Sequence, residues 1–382
     1  MMKLKIFSDP SFLPPGAQPV SILKPFWGEE ATNKVDNPWQ KSLDNFTKIS
    51  HLVFDFTALE DADIIVLPFD WLHVTGNTWT AKRNEVAYNL GCEFIRKFKS
   101  IHKPIVIFFS SDRSHEDIPF NDVFVFRQSI LASRKSPRDF VMTAMYEDLV
   151  SNYLGDKVIV REKKDRPVIG FAGFADLSSW KNSLKSLVHR ANSLVSKDSF
   201  LPYEGHRLRN VALQNFYNST LVESNFIIRN NMAFFGTSDP GEKLRLRLEY
   251  VNNIIESDYT FCCRGRGNFS IRLFETLCCG RIPIFLNTDC ALPYDFKIDW
   301  KKYAVWVNEH ELPNIVEKVL EFHENLSSQE FIDLQYKCRG LWEIWLSNEG
   351  FMANLHEHFN RDLNSISNMQ KLLDQHVIST FL

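Results

Sequence analysis

No run of uninterrupted apolar residues in this sequence approaches the roughly 18 needed to span a bilayer, so any membrane contact is expected to be peripheral. The stretch from Met1 to Asp9 turns polar after one short strand and has neither the apolar core nor the cleavage site of a secretory leader. The chain is therefore expected to work in the cytoplasm, at most at the inner face of a membrane. An excess of one charge is also missing: 44 Lys and Arg stand against 47 Asp and Glu, a net charge of -3. That balance supplies no global field for nucleic acid or anionic lipid, so any anion site has to be local. Cysteine is sparse and odd in number, seven in all, with the adjacent pairs Cys262-Cys263 and Cys278-Cys279 set inside apolar runs. Such spacing excludes a disulfide framework and points to buried, reduced thiols. Repeats of solenoid period and low-complexity tracts are absent as well.

What remains is a globular composition, 44% hydrophobic and 24% charged, in a chain of 382 residues. That length exceeds what one core comfortably fills, so two domains are expected. The first half alternates short apolar runs with amphipathic stretches, the pattern of a parallel sheet covered on both faces. Strands are predicted at Leu4 to Phe7, His51 to Phe54, Asp63 to Leu67, Pro104 to Phe109 and Val123 to Phe126. Val86, Leu90, Phe94 and Phe98 recur every four residues and predict a crossover helix.

A second series follows the charged, proline-ended linker Arg161 to Pro167. It opens with a strand from Val168 to Phe171 and the small-residue turn Gly170 to Gly173, then a helix from Trp180 to Val195. A further helix stripe runs through Leu244, Leu248, Val251 and Ile255. Then come a strand over Tyr259 to Cys263, a helix from Ser270 to Cys279 and a strand from Arg281 to Leu286, where Pro283 suggests a bulge or an unpaired position. A last strand from Tyr303 to Val307 and a helix from Leu312 to Phe322 complete the series. Beyond Gln329 the pattern is helical only, with stripes Phe331, Leu334, Cys338, Leu341, Trp345 and Met352, Leu355, Phe359, Leu363. The architecture predicted is α/β, two facing Rossmann-like domains over residues 1–160 and 166–346, with residues 347–382 as helices crossing back over the junction.

The segment with the most chemistry is the loop Arg264-Gly265-Arg266-Gly267-Asn268-Phe269, between a predicted strand and a predicted helix. There, free N–H groups and the positive end of a helix dipole face the crevice at the carboxyl edge of a sheet. Glycines let backbone approach an anion, and arginines add charge with planar donors suited to phosphate oxygens. The loop reads as a diphosphate seat. Arg272 lies in the first turn of the following helix, where a cation needs compensation, and Glu275 one turn on is placed to accept from ribose hydroxyls or to pair with Arg272.

The run Ser257 to Glu275, then Gly280-Arg281-Ile282-Pro283-Ile284 and Leu292-Pro293, resembles the exostosin-like glycosyltransferases. The upstream runs Asp61 to Pro68, Arg166 to Gly173 and Phe226-Ile227-Ile228-Arg229 are similar to the same family, and the likeness to its soluble bacterial branch covers most of residues 50–300. The resemblance implies the glycosyltransferase B arrangement, a nucleotide-sugar donor bound by the carboxyl-terminal domain, and inversion without an essential metal or other cofactor. It places Arg264 on the diphosphate, Ser270 and Arg272 on the donor phosphates or sugar, and Glu275 on the nucleoside, with Arg229 recurring in the family pattern. The donor is expected to be a UDP-sugar and the acceptor an oligosaccharide or lipid-linked glycan in surface polysaccharide or lipopolysaccharide synthesis. Two alternatives stay open: a fucosyltransferase-like enzyme using a GDP-sugar, and a silent glycan- or nucleotide-binding module on the same scaffold.

An inverting transfer also needs a base in the opposite domain. Asp9, Asp70 and Asp112 each follow a predicted parallel strand, where crevice residues belong; Asp9 ranks first and Asp112, next to His115, second. Asp61-Ala62-Asp63 precedes its strand and so lies on the wrong edge for a metal site at the crevice, and His356 and His358 point apart on a helix. Lys243, Arg245 and Arg247 are read as a solvated helix face. Arg207, Arg209 and Arg229 are candidates for the cleft, each also open to a plain salt bridge, and Trp71 and Trp79 are candidates for stacking on an acceptor sugar.

Overall fold

Short apolar runs flanked by polar turns form two parallel sheets in a computed structural model, which describes residues 3–27, 38–76, 82–114, 116–144, 146–175, 204–229 and 236–359. The first sheet contains β1 (Leu4–Phe7), β2 (Phe54–Phe56), β3 (Ile64–Val66), β4 (Ile105–Phe109), β5 (Phe124–Arg127) and β6 (Asp139–Val141), in the order β2-β1-β3-β4-β5-β6. Every pairing is parallel. All five residues of β4 are buried, as a strand covered on both faces requires. Two predictions for this half are corrected. His51 to Val53 end the helix α1 (Pro38–Val53), and the strand begins only at Phe54; the apolar run straddles a helix end, with Leu52 exposed. The unpredicted β6 is three residues long and carries a buried charge, Asp139, whose Oδ1 accepts from Arg127 Nε at 2.6 Å.

The crossover helix α2 (Glu85–Phe98) starts at Asn84, whose side chain accepts from the Ala87 amide. Its buried face is Ala87, Gly91, Phe94, Ile95 and Phe98, so Phe94 and Phe98 hold their predicted places while Val86 faces solvent. The inner stripe is rotated by one residue because Gly91 lets Trp71 press against the helix, where an added Cβ would lie 2.8 Å from the indole ring.

The second sheet contains β7 (Val168–Phe174), β8 (Glu223–Arg229), β9 (Tyr259–Cys262), β10 (Ile282–Asn287) and β11 (Val305–Asn308), in the order β11-β10-β9-β7-β8, again all parallel. Its described helices are α3 (Leu149–Tyr153) at the approach, α4 (Glu204–Asn218), α5 (Pro240–Ile255), α6 (Ile271–Cys278) and α7 (Ile315–Glu324). Gly170 to Gly173 belong to β7 and do not form a turn. Pro283 is paired with Thr260, and the ladder to β11 starts one residue later at Ile284. The helix predicted at Trp180 to Val195 lies outside the described residues. On α5 the stripe is corrected: Leu244 and Leu248 are exposed, whereas Leu246, Arg247, Val251 and Ile254 are buried.

Helix α8 (Ser328–Leu341) begins with a capping box between Ser327 and Glu330, continues through a wider turn at Trp342–Leu346 and leads to α9 (Asn348–Ala353). This end of the described chain packs on the first sheet: Phe359 meets Phe124 and Phe126, Phe351 meets Phe126, and the Thr143 hydroxyl donates to the Leu346 carbonyl. Leu363 lies outside the described residues. His358 sits among Phe126, Phe140, Tyr294 and Phe296, and burial pushes its pKa down to about 3. The linker has no regular structure but is fixed, with Arg161 Nε on Asp258 Oδ1 at 2.6 Å and Gln335 bonding both the N–H and the C=O of Arg161. One hydrophobic cluster runs unbroken from Ile6 to Phe359.

Because that core is continuous across the junction, Phe351→Ala is expected to cost about 3–5 kcal/mol and to lower one shared unfolding transition. Urea melts followed by circular dichroism and by tryptophan fluorescence should coincide in both proteins; a variant that melts in two separate steps, one unchanged, would contradict this packing.

Candidate active site

In sheet two the chain moves from β7 outward to β8, then returns to the other side of β7 for β9 and β10. The carboxyl ends of β7 and β9 therefore diverge at a topological switch point, where α/β sheets bind their ligands. The loop 264–269 leaves β9 at this fork and leads into α6. Gly265 N donates to Phe269 O at 3.2 Å and Arg264 Nη2 to Arg266 O at 3.2 Å, so the loop folds on itself with Gly265 and Arg266 exposed. Ser270 is the N-cap of α6, and its side chain makes no capping bond.

Arg272 reaches back from α6 over β7. Its Nη2 donates to Ala172 O at 2.7 Å and its guanidinium lies over the Phe171 ring at 4.3 Å. Gly173 makes this possible: at φ +153° it has no Cβ, and one added there would lie 2.9 Å from Arg272 Nη2. Among the described residues the carbonyl and the ring face, and no carboxylate, compensate the cation.

The same loop is clasped by the other domain. The Asn268 amide donates to the hydroxyls of Ser129 at 2.7 Å and Ser114 at 3.0 Å, both in the β4–β6 region. Its side chain, fully buried, donates to Thr288 O and Asp289 O and accepts from the Thr288 hydroxyl at 2.6 Å. Gly267 fits against Asp112, where a Cβ would come within 2.9 Å of the aspartate Cα. Asp112 thereby faces the arginine loop across the junction. Burial raises its carboxyl pKa, and the charges of Arg266 and Arg264 offset only part of that rise.

Behind α6 lies a buried ionic network. Arg247 donates from Nε and Nη2 to Glu147 Oε1 at 2.9 and 2.8 Å, and from Nη1 to Glu275 Oε1 at 3.1 Å. The Tyr250 hydroxyl takes the other Glu275 oxygen, and Tyr153 and Asn152 complete the shell of Glu147. Burial disfavours the charge on Arg247, but Glu275 and Glu147 outweigh it and hold the group firmly protonated. Two assignments change here. Arg247 is not part of a solvated face, although Arg245 is, pairing with Glu242 and Glu249. Glu275 is not paired with Arg272 and not open to a ribose; both its oxygens brace Arg247 and Tyr250.

The other site residues named from sequence fall elsewhere. Asp9 caps the turn Pro10–Phe12, accepting from the Ser11 amide and hydroxyl, and pairs with Lys97 at 2.8 Å. Burial raises its pKa, yet those donors prevail and leave it below its ordinary value, which suits a cap and not a base. Asp70 likewise accepts from the amides of Leu72 and Ser110. Asp63 takes the Lys5 amide at the amino edge of β3. Arg229 ends β8 beside Phe174 of β7, in a salt bridge to Glu249 at 2.7 Å. Trp71 is 2% exposed and packed in the core, so it cannot stack on an acceptor; Trp79 and His115 lie outside the described residues. Sequence reading missed Ser114, Ser129, Glu147 and Tyr250, none of which carries a local signal. Arg247 was hidden by two cationic neighbours at alternate positions.

Removing the buried cation leaves two carboxylates without their shared partner. Arg247→Met is expected to cost about 3–5 kcal/mol in chemical denaturation, whereas Arg245→Met on the exposed face of the same helix should cost less than about 0.5 kcal/mol. Equal effects of the two would remove the network from the fold's supports.

With this geometry in view, the relatives are informative. Residues 149–322 match the Exostosin GT47 domain family model. Exostosin-1 of Drosophila melanogaster is 31% identical over 105 residues, 27% of this chain and 13% of that protein. The exostosin-1 homolog of Caenorhabditis elegans is 28% identical over 100 residues, 26% of this chain and 25% of that protein. The chain thus spans a small part of the length of these relatives. Among solved structures, a glycosyltransferase from Rickettsia africae is matched at TM-score 0.38 and 10% identity, over 94% of this chain and 99% of that one. The catalytic domain of starch synthase IV from Arabidopsis thaliana, bound to ADP and acarbose, is matched at TM-score 0.33 and 12% identity, over 89% and 80%. Among the described residues no helix is long and apolar enough to cross a membrane, and all seven cysteines are unpaired, six of them buried. Residues 149–322, a little under half of the chain, are thus similar to the Exostosin GT47 domain family.

Proposed function

We propose that the chain transfers a sugar from a nucleotide-diphosphate donor, a UDP-sugar in the first instance, to the hydroxyl of an oligosaccharide or lipid-linked glycan, with inversion and without an essential metal or other cofactor. The observation that carries this reading is the cationic fork between β7 and β9, with Arg264, Arg266 and Arg272 on one side and Asp112 facing it from the other domain. The donor's diphosphate sits at the fork, on the arginines, Gly265 and the first amides of α6 beside Ser270. When the glycosyl bond breaks, negative charge grows on the leaving phosphate, and fixed guanidinium and N–H groups stabilise it without reorganising. Such groups do the electrostatic work that a divalent ion does in other transferases.

Asp112 removes the acceptor proton. Its raised pKa brings it toward the range in which a carboxylate is an effective general base, and the nearby Arg266 keeps the charged form accessible. Glu275 acts as a positioning residue: through Tyr250 and Arg247 it fixes α6, and hence Arg272, over Phe171. A location in the cytoplasm, with the product passing to surface polysaccharide or lipopolysaccharide, suits the unpaired thiols.

Asp112→Asn is expected to lower turnover at least about a hundredfold while leaving UDP binding intact in a thermal-shift titration. In the unmodified chain, kcat/KM for the acceptor should fall on the acid side as Asp112 protonates, at a pH above the ordinary carboxylate value, and the variant should lack that limb. Since the folded state favours the protonated form, its stability contribution is present at low pH and lost as pH rises through the raised pKa; Asp112→Asn should therefore melt no lower than the parent at neutral pH. Full turnover in this variant rules Asp112 out as the base. Stabilisation by guanosine but not uridine diphosphate would reassign the donor, and stabilisation of Arg272→Ala equal to the parent by both nucleotides would remove the donor site.

A further inference from the structure

Three arginines were indistinguishable as cleft candidates in the sequence, and the structure separates them. Arg229 is spent on Glu249 at 2.7 Å, and Arg207 lies 3.5 Å from Glu309. Among the described residues Arg209, on α4, donates only to backbone: Nη1 to Phe174 O at 2.8 Å and Nη2 to Arg264 O at 3.3 Å. Those two carbonyls lie at the carboxyl end of β7 and just past the end of β9, the strands that flank the fork. Its guanidinium shares the Phe171 ring with that of Arg272, at 5.8 and 4.3 Å from the ring centre. In both side chains the Nε atom is buried without a hydrogen-bond partner among the described residues.

Resting on the donor-site reading above, we infer that Arg209 is a further donor-binding residue, forming with Arg272 a two-guanidinium seat for the diphosphate of the nucleotide. Each cation is tethered by an edge to strand-end carbonyls, and no carboxylate among the described residues neutralises either. Two like charges on one aromatic face repel, and both are partly withdrawn from water. Burial and the charge of Arg272 push the Arg209 pKa down to about 10, which still leaves the group charged at neutral pH. A diphosphate placed between them supplies the missing counter-charge and accepts from planar donors in pairs. The tethers fix both groups beforehand, so little side-chain entropy is lost on binding.

A purely structural brace is the competing role, since Arg209 also ties β7 to the β9 loop. The two roles differ in what they do to phosphate recognition. Titration calorimetry on the full chain, with UDP and GDP against uridine and guanosine, measures the affinity advantage conferred by the phosphates. In Arg209→Gln this advantage is expected to shrink about ten- to a hundredfold, with nucleoside binding unchanged, Arg209→Lys falling between and the surface control Arg245→Gln behaving as the parent. If Arg209→Gln fails to fold, the conservative Arg209→Lys alone still reads the ratio. A parental ratio in the folded variants, with only the melting temperature lowered, overturns the inference and leaves the donor site standing. Absence of any diphosphate advantage in the parent chain overturns both.

Discussion

Positive charge held by backbone carbonyls, with no acidic partner among the described residues, is the constraint around which the carboxyl-terminal half is built. Arg272 on Ala172 O and Arg209 on Phe174 O and Arg264 O occupy the place in the second sheet where neighbouring parallel strands diverge. Placing cations there costs free energy, and much of the surrounding structure makes the cost bearable. Phe171 offers a ring face to both, and Gly173 removes the Cβ that would block Arg272. A few ångströms behind α6, by contrast, Arg247 is surrounded by carboxylates. The fold separates a neutralised cation that supports the helix from unneutralised ones that face the fork.

The junction between domains serves the same loop. Asn268 takes hydroxyls from the first domain on its amide and carbonyls from the second on its side chain. Nearby, Asp289 accepts from the Ser133 amide at 3.0 Å, and Lys135 pairs with Asp295. These contacts bring Asp112 against Gly267, so the distance between the arginine loop and a carboxylate of the opposite domain is set by hydrogen bonds and not left to domain motion. The terminal aromatic cluster around His358 adds apolar burial at the far side of the same interface. A site assembled from two halves is thereby given the rigidity of one.

Much of this was legible in the sequence because it is periodic or punctuated. Apolar runs gave the parallel strands, with errors at helix ends such as His51 to Val53, where a run of one period passes into another. The loop of Arg264 to Phe269 was legible through its glycines and charges between a strand and a helix. What stayed hidden is tertiary. Alternating Lys243, Arg245 and Arg247 look equivalent along the chain, and only the approach of α3 carrying its acidic neighbour Glu147 distinguishes the last. Trp71 follows a strand as an exposed aromatic would, but Gly91 opens a slot that buries it.

Asp9 and Asp112 show why one local signal has two meanings. Each follows a parallel strand of the same sheet, and each is placed where a crevice residue belongs. Asp9 is followed by a proline and a serine, which close a turn onto its carboxylate, and Lys97 from α2 completes the shell, so the charged form is favoured and its lone pairs are taken. Asp112 has no such donors among the described residues and is instead pressed against a glycine of the other domain, with two arginines near enough to be felt but not to neutralise the cost of burial. The neighbours that matter for Asp9 lie within two residues or on the adjoining helix; those that matter for Asp112 lie more than 150 residues away. Sequence order favoured the first because its turn was visible, and that same turn is what commits the residue to structure. At Asp112, by contrast, burial at the domain junction outweighs the two arginines and favours the protonated form.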